Sequence, residues 1–222
     1  MISSEPAPPP IPDQGHLIER RIILSYAPVA SRAGLAALLA LDDRLGEIVA
    51  AARDPLIGQM RLTWWHEALA ALDGAPPPAE PILRAVSAHL LPRGVTGAEL
   101  ARIVDGWEAL LAIDSDPAAA FAGHAADRGE AVFAIAARLL GGEHRGLRDA
   151  GAGWALAGLG DPGARRIAAE RLDGLTRGDR WPRALRPLSG MALLARADLR
   201  GGAPPGSIRR AARLFRHWLG GR

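Results

Sequence analysis

A chain of 222 residues that is 49% hydrophobic closes a sizeable core as one medium domain, and its lack of cysteine excludes a disulfide framework, a thiolate metal site and a cysteine nucleophile. All 27 basic residues are arginine and they are unevenly placed: residues 1–164 hold 13 Arg against 20 acids, net −7, whereas residues 165–222 hold 14 against 4, net +10. The basic C-terminal quarter can meet anionic lipid, a diphosphate or an acidic partner; without aromatic interleaving, a zinc pattern or a reader motif, it does not read as a nucleic-acid surface.

Residues 1–15, MISSEPAPPPIPDQG, are Pro-rich and carry neither a basic n-region nor an apolar core, so they are expected to be a disordered tail rather than a signal peptide, with one helical domain over 16–222. Apolar residues then recur at helical spacing, and no period-two alternation is long enough for a sheet, which predicts an all-α fold. Helices are predicted near 16–27, 33–53, 57–72, 80–91, 97–112, 117–140, 145–160, 163–175, 187–199 and 206–219. Breakers such as Asp54-Pro55, Gly74 to Pro78, Asp116-Pro117, Gly141-Gly142 and Asp161-Pro162-Gly163 separate them. The most apolar run, 22–41, is interrupted by Pro28 and Arg32 and predicts a helical hairpin rather than a membrane span.

Within the helix over 33–53, a rotation of about 100° per residue puts Leu35, Leu38, Leu39, Asp42, Leu45, Gly46, Val49 and Arg53 on one face. Asp42 therefore projects into an apolar stripe, where a carboxylate needs a partner; Arg32 and Arg53 are the candidates, with Asp43 and Glu47 forming a solvated face beside Arg44. The alternative makes Asp42, Asp43 and Glu47 oxygen ligands of Mg²⁺. Trp64 and Trp65 point in adjacent helical directions, core packing being the default for both and one of them a candidate wall of a cavity or groove. Gly158-Leu-Gly-Asp-Pro-Gly163 satisfies G-x-G-x-x-G but follows a helix, which makes it a helix–helix turn, and His66-Glu67 lacks the second histidine of a zinc motif. No G-x-S-x-G elbow supports a hydrolase. The last helix mixes Arg209, Arg210, Arg213 and Arg216 with Ile208, Leu214, Phe215 and Trp218. It reads either as an interfacial or partner-docking helix or as a closing helix that buries Leu214, Phe215 and Trp218.

Four segments in order carry a likeness that single motifs do not. SRAGLAALLAL (31–41) and DPLIGQMRLTWWHEAL (54–69) form the most specific part; VDGWEALL (104–111) leading to RGEAVFAIAARLLGG (128–142), and WALAGLGD (154–161), follow. Together they resemble the squalene/phytoene synthase family over most of residues 16–200. Gly58-Gln59-Met60-Arg61-Leu62 running into Trp64-Trp65 is similar to the subgroup containing a mitochondrial complex I assembly factor. The resemblance implies an isoprenoid-synthase-like helical bundle around a central cavity, here shortened. In active members two acidic clusters on facing helices hold Mg²⁺ for the head-to-head condensation of prenyl diphosphates.

In that register the acids are missing. Gly46 stands at the first aspartate, Glu47 at the second position and Ala50 at the last; in the second motif Gly158, Asp161, Pro162 and Arg166 replace asparagine, arginine, aspartate and a later acid, and a one-residue gap rescues only Asp161. The chain also runs past the family's Tyr-Leu-Pro segment into ARRIAAERLDGL. The resemblance thus implies a non-catalytic relative, needing no cofactor, with a membrane-peripheral or partner-binding role such as respiratory complex assembly. It would be cytoplasmic, at most peripheral to the inner membrane, and would meet an anionic membrane or acidic partner through Arg209, Arg210, Arg213 and Arg216. Two alternatives stay open: a Mg²⁺-dependent prenyltransferase of isoprenoid biosynthesis using Asp42, Asp43 and Glu47, and a non-reactive prenyl-lipid binder. The candidate substrate-binding residues are Arg32, Arg53, Trp64, Trp65, Arg165 and Arg166.

Overall fold

The computed structural model describes residues 14–175 and 180–220. Thirteen of the fifteen residues of the expected tail lie outside the described residues; its last two, Gln14 and Gly15, form the start of a helix. Among the described residues every regular element is helical and there is no strand, so the fold is all-α.

The predicted breakers set the helix starts. α1 (Gln14–Tyr26) is followed by α2 (Val29–Ala51), which begins directly after Pro28 and so four residues earlier than the periodicity placed it. α3 (Pro55–Ala71), α4 (Pro81–His89), α6 (Pro117–Gly123) and α9 (Pro162–Asp173) each start on a proline preceded by an acid whose carboxylate accepts a backbone N–H of the first turn: Asp54 from Leu56, Glu80 from Leu83, Asp116 from Ala119 and Asp161 from Ala164. Proline suits the first helical position because its missing N–H has no helical partner there, and the acid satisfies a donor that would otherwise be orphaned. α5 (Gly97–Glu108) opens on a reciprocal Thr96–Glu99 capping box. α7 (Ala131–Leu140) ends at Gly141, whose φ of 70° is left-handed and closes the helix without the penalty a Cβ would add. α8 (Leu147–Ala157), α10 (Arg186–Leu199) and α11 (Ile208–Gly220) complete the order.

The single helix expected over 117–140 is instead α6, a π-helical segment over His124–Glu130, and α7. The π turn is anchored by close backbone approach. A Cβ on Gly106 of α5 would lie 2.4 Å from the Arg128 nitrogen, and one on Gly129 would lie 2.4 Å from the Gly151 oxygen of α8. Only glycine lets three helices meet at that distance, and the wider turn rotates His124 and Arg128 inward.

One continuous hydrophobic core runs from Ile23 in α1 to Leu214 in α11, with Leu38, Leu45, Leu62, Leu100, Ile103, Phe133 and Leu188 fully buried. α2 packs on α3, α4, α5 and α7; the π segment lies between α5 and α8; α10 covers α8, and α11 closes over α1 and α10. No helix among the described residues is long and apolar enough to cross a membrane.

Candidate functional site

Asp42 is 1% exposed, at the place on α2 where the spacing puts it. Its partner is neither Arg32 nor Arg53 but Arg128, 86 residues away on the π segment. Arg128 Nε donates to Oδ1 at 2.7 Å and Nη2 to Oδ2 at 3.0 Å, a two-pronged pairing of guanidinium with carboxylate. Trp107 Nε1 donates to the same Oδ1 at 2.9 Å. Burial works to raise the Asp42 carboxyl, but the Arg128 charge and these hydrogen bonds outweigh it and hold the group below the usual carboxylate range.

The guanidinium is enclosed on both faces. Its central carbon lies 4.1 Å from the Trp107 ring centre and 4.4 Å from that of Trp154, so two indoles sandwich the cation. Arg128 Nη1 donates to His124 Nε2 at 2.9 Å, and His124 Nδ1 lies 2.7 Å from the Gly106 carbonyl oxygen. A neutral imidazole carrying its proton on Nδ1 satisfies both contacts at once. Burial, reinforced by the adjacent Arg128 charge, drops the His124 pKa to about 3 and keeps the ring neutral.

Gly46, where the resemblance expects an aspartate, faces this cluster. A Cβ there would meet the Trp107 ring at 2.8 Å, and that ring is pinned by Asp42, Arg128 and His124, so there is no room for a longer side chain. Asp43 pairs with Arg20 at 2.5 Å and Glu47 with Arg44 at 3.1 Å, both at the surface. Asp42, Asp43 and Glu47 thus have three separate arginine partners, and among the described residues no group of three His, Asp or Glu is close enough to hold a metal ion. Asp161 serves as the N-cap of α9. These residues do not fit Mg²⁺, which takes several oxygens in near-octahedral array.

The candidate substrate residues are likewise dispersed. Arg32 caps the end of α1 through the carbonyls of Leu24, Ser25 and Ala27, and Arg53 is exposed beyond the last turn of α2. Trp65 is core at 4% exposure, whereas Trp64, against the default of core packing, is 46% exposed and meets it edge-on. Arg165 donates to the Asp198 and Leu199 carbonyls at the end of α10, and Arg166 pairs with Glu170 in solvent. None of the six lines a cavity of about 200 Å³ bounded by apolar Ile23, Trp154, Met191 and Leu194 and by charged Glu19 and Arg210. Trp154 is shared between this cavity and the Arg128 sandwich.

Arg210 does not face outward with Arg209, Arg213 and Arg216 as expected. It is 2% exposed, with Nε 2.6 Å and Nη2 2.9 Å from the two Glu19 oxygens and a further bond to Asp198, so it clamps α11 to α1 and α10 instead of facing a partner. The residue that sequence reasoning missed is Arg128. Its signal was present: it stands one helical turn before Val132 on a buried stripe, as Asp42 does on its own helix, and two opposite charges on apolar stripes call for each other.

Fold and site together define an all-helical bundle organised around a buried arginine–carboxylate pair. Comparison with family models, with curated proteins and with solved structures finds no match for this chain.

Proposed function

We propose that the chain is a non-catalytic, squalene/phytoene synthase-like domain that acts by binding, at a membrane surface or on a partner protein, as a respiratory assembly factor does. Its expected place is the cytoplasm, at most peripheral to the inner membrane. The observation that carries the reading is the Arg128 guanidinium: a fixed cation between two indoles holds the buried carboxylate that a metal would need, and Trp107 fills the space beside Gly46. The cavity points the same way, because about 200 Å³ is below the roughly 300–1,000 Å³ of pockets that enclose drug-sized ligands.

The alternative of a non-reactive lipid binder draws on the apolar Ile23, Met191 and Leu194, which line the cavity together with charged Arg20, Glu19 and Arg210. Incubation with farnesyl or geranylgeranyl diphosphate and Mg²⁺ tests the main reading. No head-to-head product is expected; product whose formation Asp43→Ala abolishes would return the chain to the prenyltransferases.

A further inference from the structure

We propose that α11 is an interfacial helix that seats the protein on an anionic lipid surface. This rests on the reading of a protein that acts by binding, and it names the surface and the ligand. At about 100° per residue Arg210, Leu214 and His217 share one side of α11, and they account for its docking: Arg210 in the clamp with Glu19 and Asp198, Leu214 in the core, His217 against the Ser189 hydroxyl at 2.7 Å. The opposite side is apolar and uncovered. Ile208, Phe215 and Leu219 are 86%, 55% and 60% exposed, with Ala212 between them, a ridge about 16 Å long at 1.5 Å per residue.

Arginines flank the ridge on both edges. Arg209, Arg213 and Arg216 are exposed along one edge. On the other, half-buried Trp218 stacks on Tyr26 at 5.8 Å and on Phe215 at 6.2 Å, and the Arg183 guanidinium lies 5.6 Å from its ring centre. α11 contains no acid, and the nearby Asp198 is engaged by Arg210. Large apolar groups facing out between a row of three arginines and Arg183 match the acyl boundary and phosphate layer of a bilayer, since Arg recognises phosphate and its stem lies along apolar surface. A ridge that protrudes suits a planar, deformable partner into which each side chain sinks independently.

Vesicle flotation of the full chain tests this, using phosphatidylcholine alone and phosphatidylcholine with a third replaced by phosphatidylglycerol. Binding is expected on the anionic vesicles alone and should fall steeply with salt, exposed charges being screened over about 8 Å at physiological ionic strength. The triple variant R209Q/R213Q/R216Q should bind on the order of a hundredfold more weakly, at about 1 kcal/mol per arginine near the surface. Phe215→Ser with Leu219→Ser should lose about tenfold or more through the ridge. All these side chains are exposed, so the helical signal should match the parent, with the melting temperature unchanged in the arginine variant and slightly lowered in the serine variant, which loses the Phe215–Trp218 stack. Met60→Ser, on an equally exposed apolar residue of α3, should leave binding intact.

Equal binding to neutral vesicles, parental binding by either α11 variant, or an equal loss with Met60→Ser would overturn the proposal. Absence of any vesicle binding would overturn it too and move α11 to a protein partner. Failure here leaves the condensation assay unaffected, and condensation product would overturn the non-catalytic reading without touching vesicle binding.

Discussion

Asp42 and Arg128 show how one buried charge dictates the chemistry around it. Their bidentate pair has no solvent to fall back on, because Asp42 is 1% exposed and Arg128 8%. Asp42→Asn is therefore expected to destabilise the protein by about 3–5 kcal/mol in chemical denaturation, the cost of stranding a buried guanidinium. Replacing both partners with apolar residues should cost less than Asp42→Asn alone; a double variant no more stable than the single one would show that Arg128 is not stranded.

His124 adds a pH dependence with a definite sign. With a folded pKa near 3 against 6.5 in the unfolded chain, the unfolded state binds the extra proton between those values. Stability should thus be fully present above about pH 6.5 and fall as the pH drops toward 3, by at most about 1.4 kcal/mol per pH unit. Asp42, whose carboxyl is depressed, adds its own loss only below the ordinary carboxylate value. Melting temperatures measured from pH 7 to 4 for the parent and His124→Gln check this, the variant giving the shallower slope. The position of Asp42 was legible from its spacing alone; the neutrality of His124 was not, because a histidine in a polar-looking stretch, GHAADRGE, carries no sign of its burial.

At the scale of elements, the terminal helices depend on each other. Glu19 of α1 accepts from Arg210 of α11, whose Nη1 also reaches Asp198 of α10, and Tyr26 stacks on Trp218 one end further along. Arg210→Gln is expected to destabilise the fold by about 3–5 kcal/mol, whereas Arg209→Gln, its exposed neighbour, should stay within about 0.5 kcal/mol. Equal effects in urea titrations would place Arg210 at the surface after all. Sequence periodicity drew α11 within a few residues of its observed bounds, but Arg210 was grouped with the outward-facing Arg209, Arg213 and Arg216. It gave no reason to bury an arginine there, since its two compensating charges sit on other helices, Glu19 191 residues away and Asp198 across the turn in α10. The π segment was hidden for a similar reason: an unbroken run of helix-compatible residues from 117 to 140 does not disclose that Gly106, Gly129 and Gly151 will meet across three helices.

Across the whole molecule, the core joins α1 to α11 without interruption, so heat should unfold the described helices in a single transition with calorimetric and van't Hoff enthalpies in agreement. A separate early transition, abolished together with α11 contacts in Arg210→Gln, would instead mark the terminal helices as an independent unit. The sequence by itself determined what acts over one to four residues: the all-α class, the proline and acidic caps that start the helices, the apolar face that carries Asp42, and the charge asymmetry between the two parts of the chain. Only the tertiary structure decided that Arg128 and not Arg32 or Arg53 reaches Asp42, that Trp107 occupies the space beside Gly46, and that Arg210 turns inward while Phe215 and Leu219 stay outside. Helix signals are local hydrogen bonding and periodicity, readable in a short window. The burial of a charge depends on which opposite charge distant packing brings within about 3 Å, and that information is in no single segment.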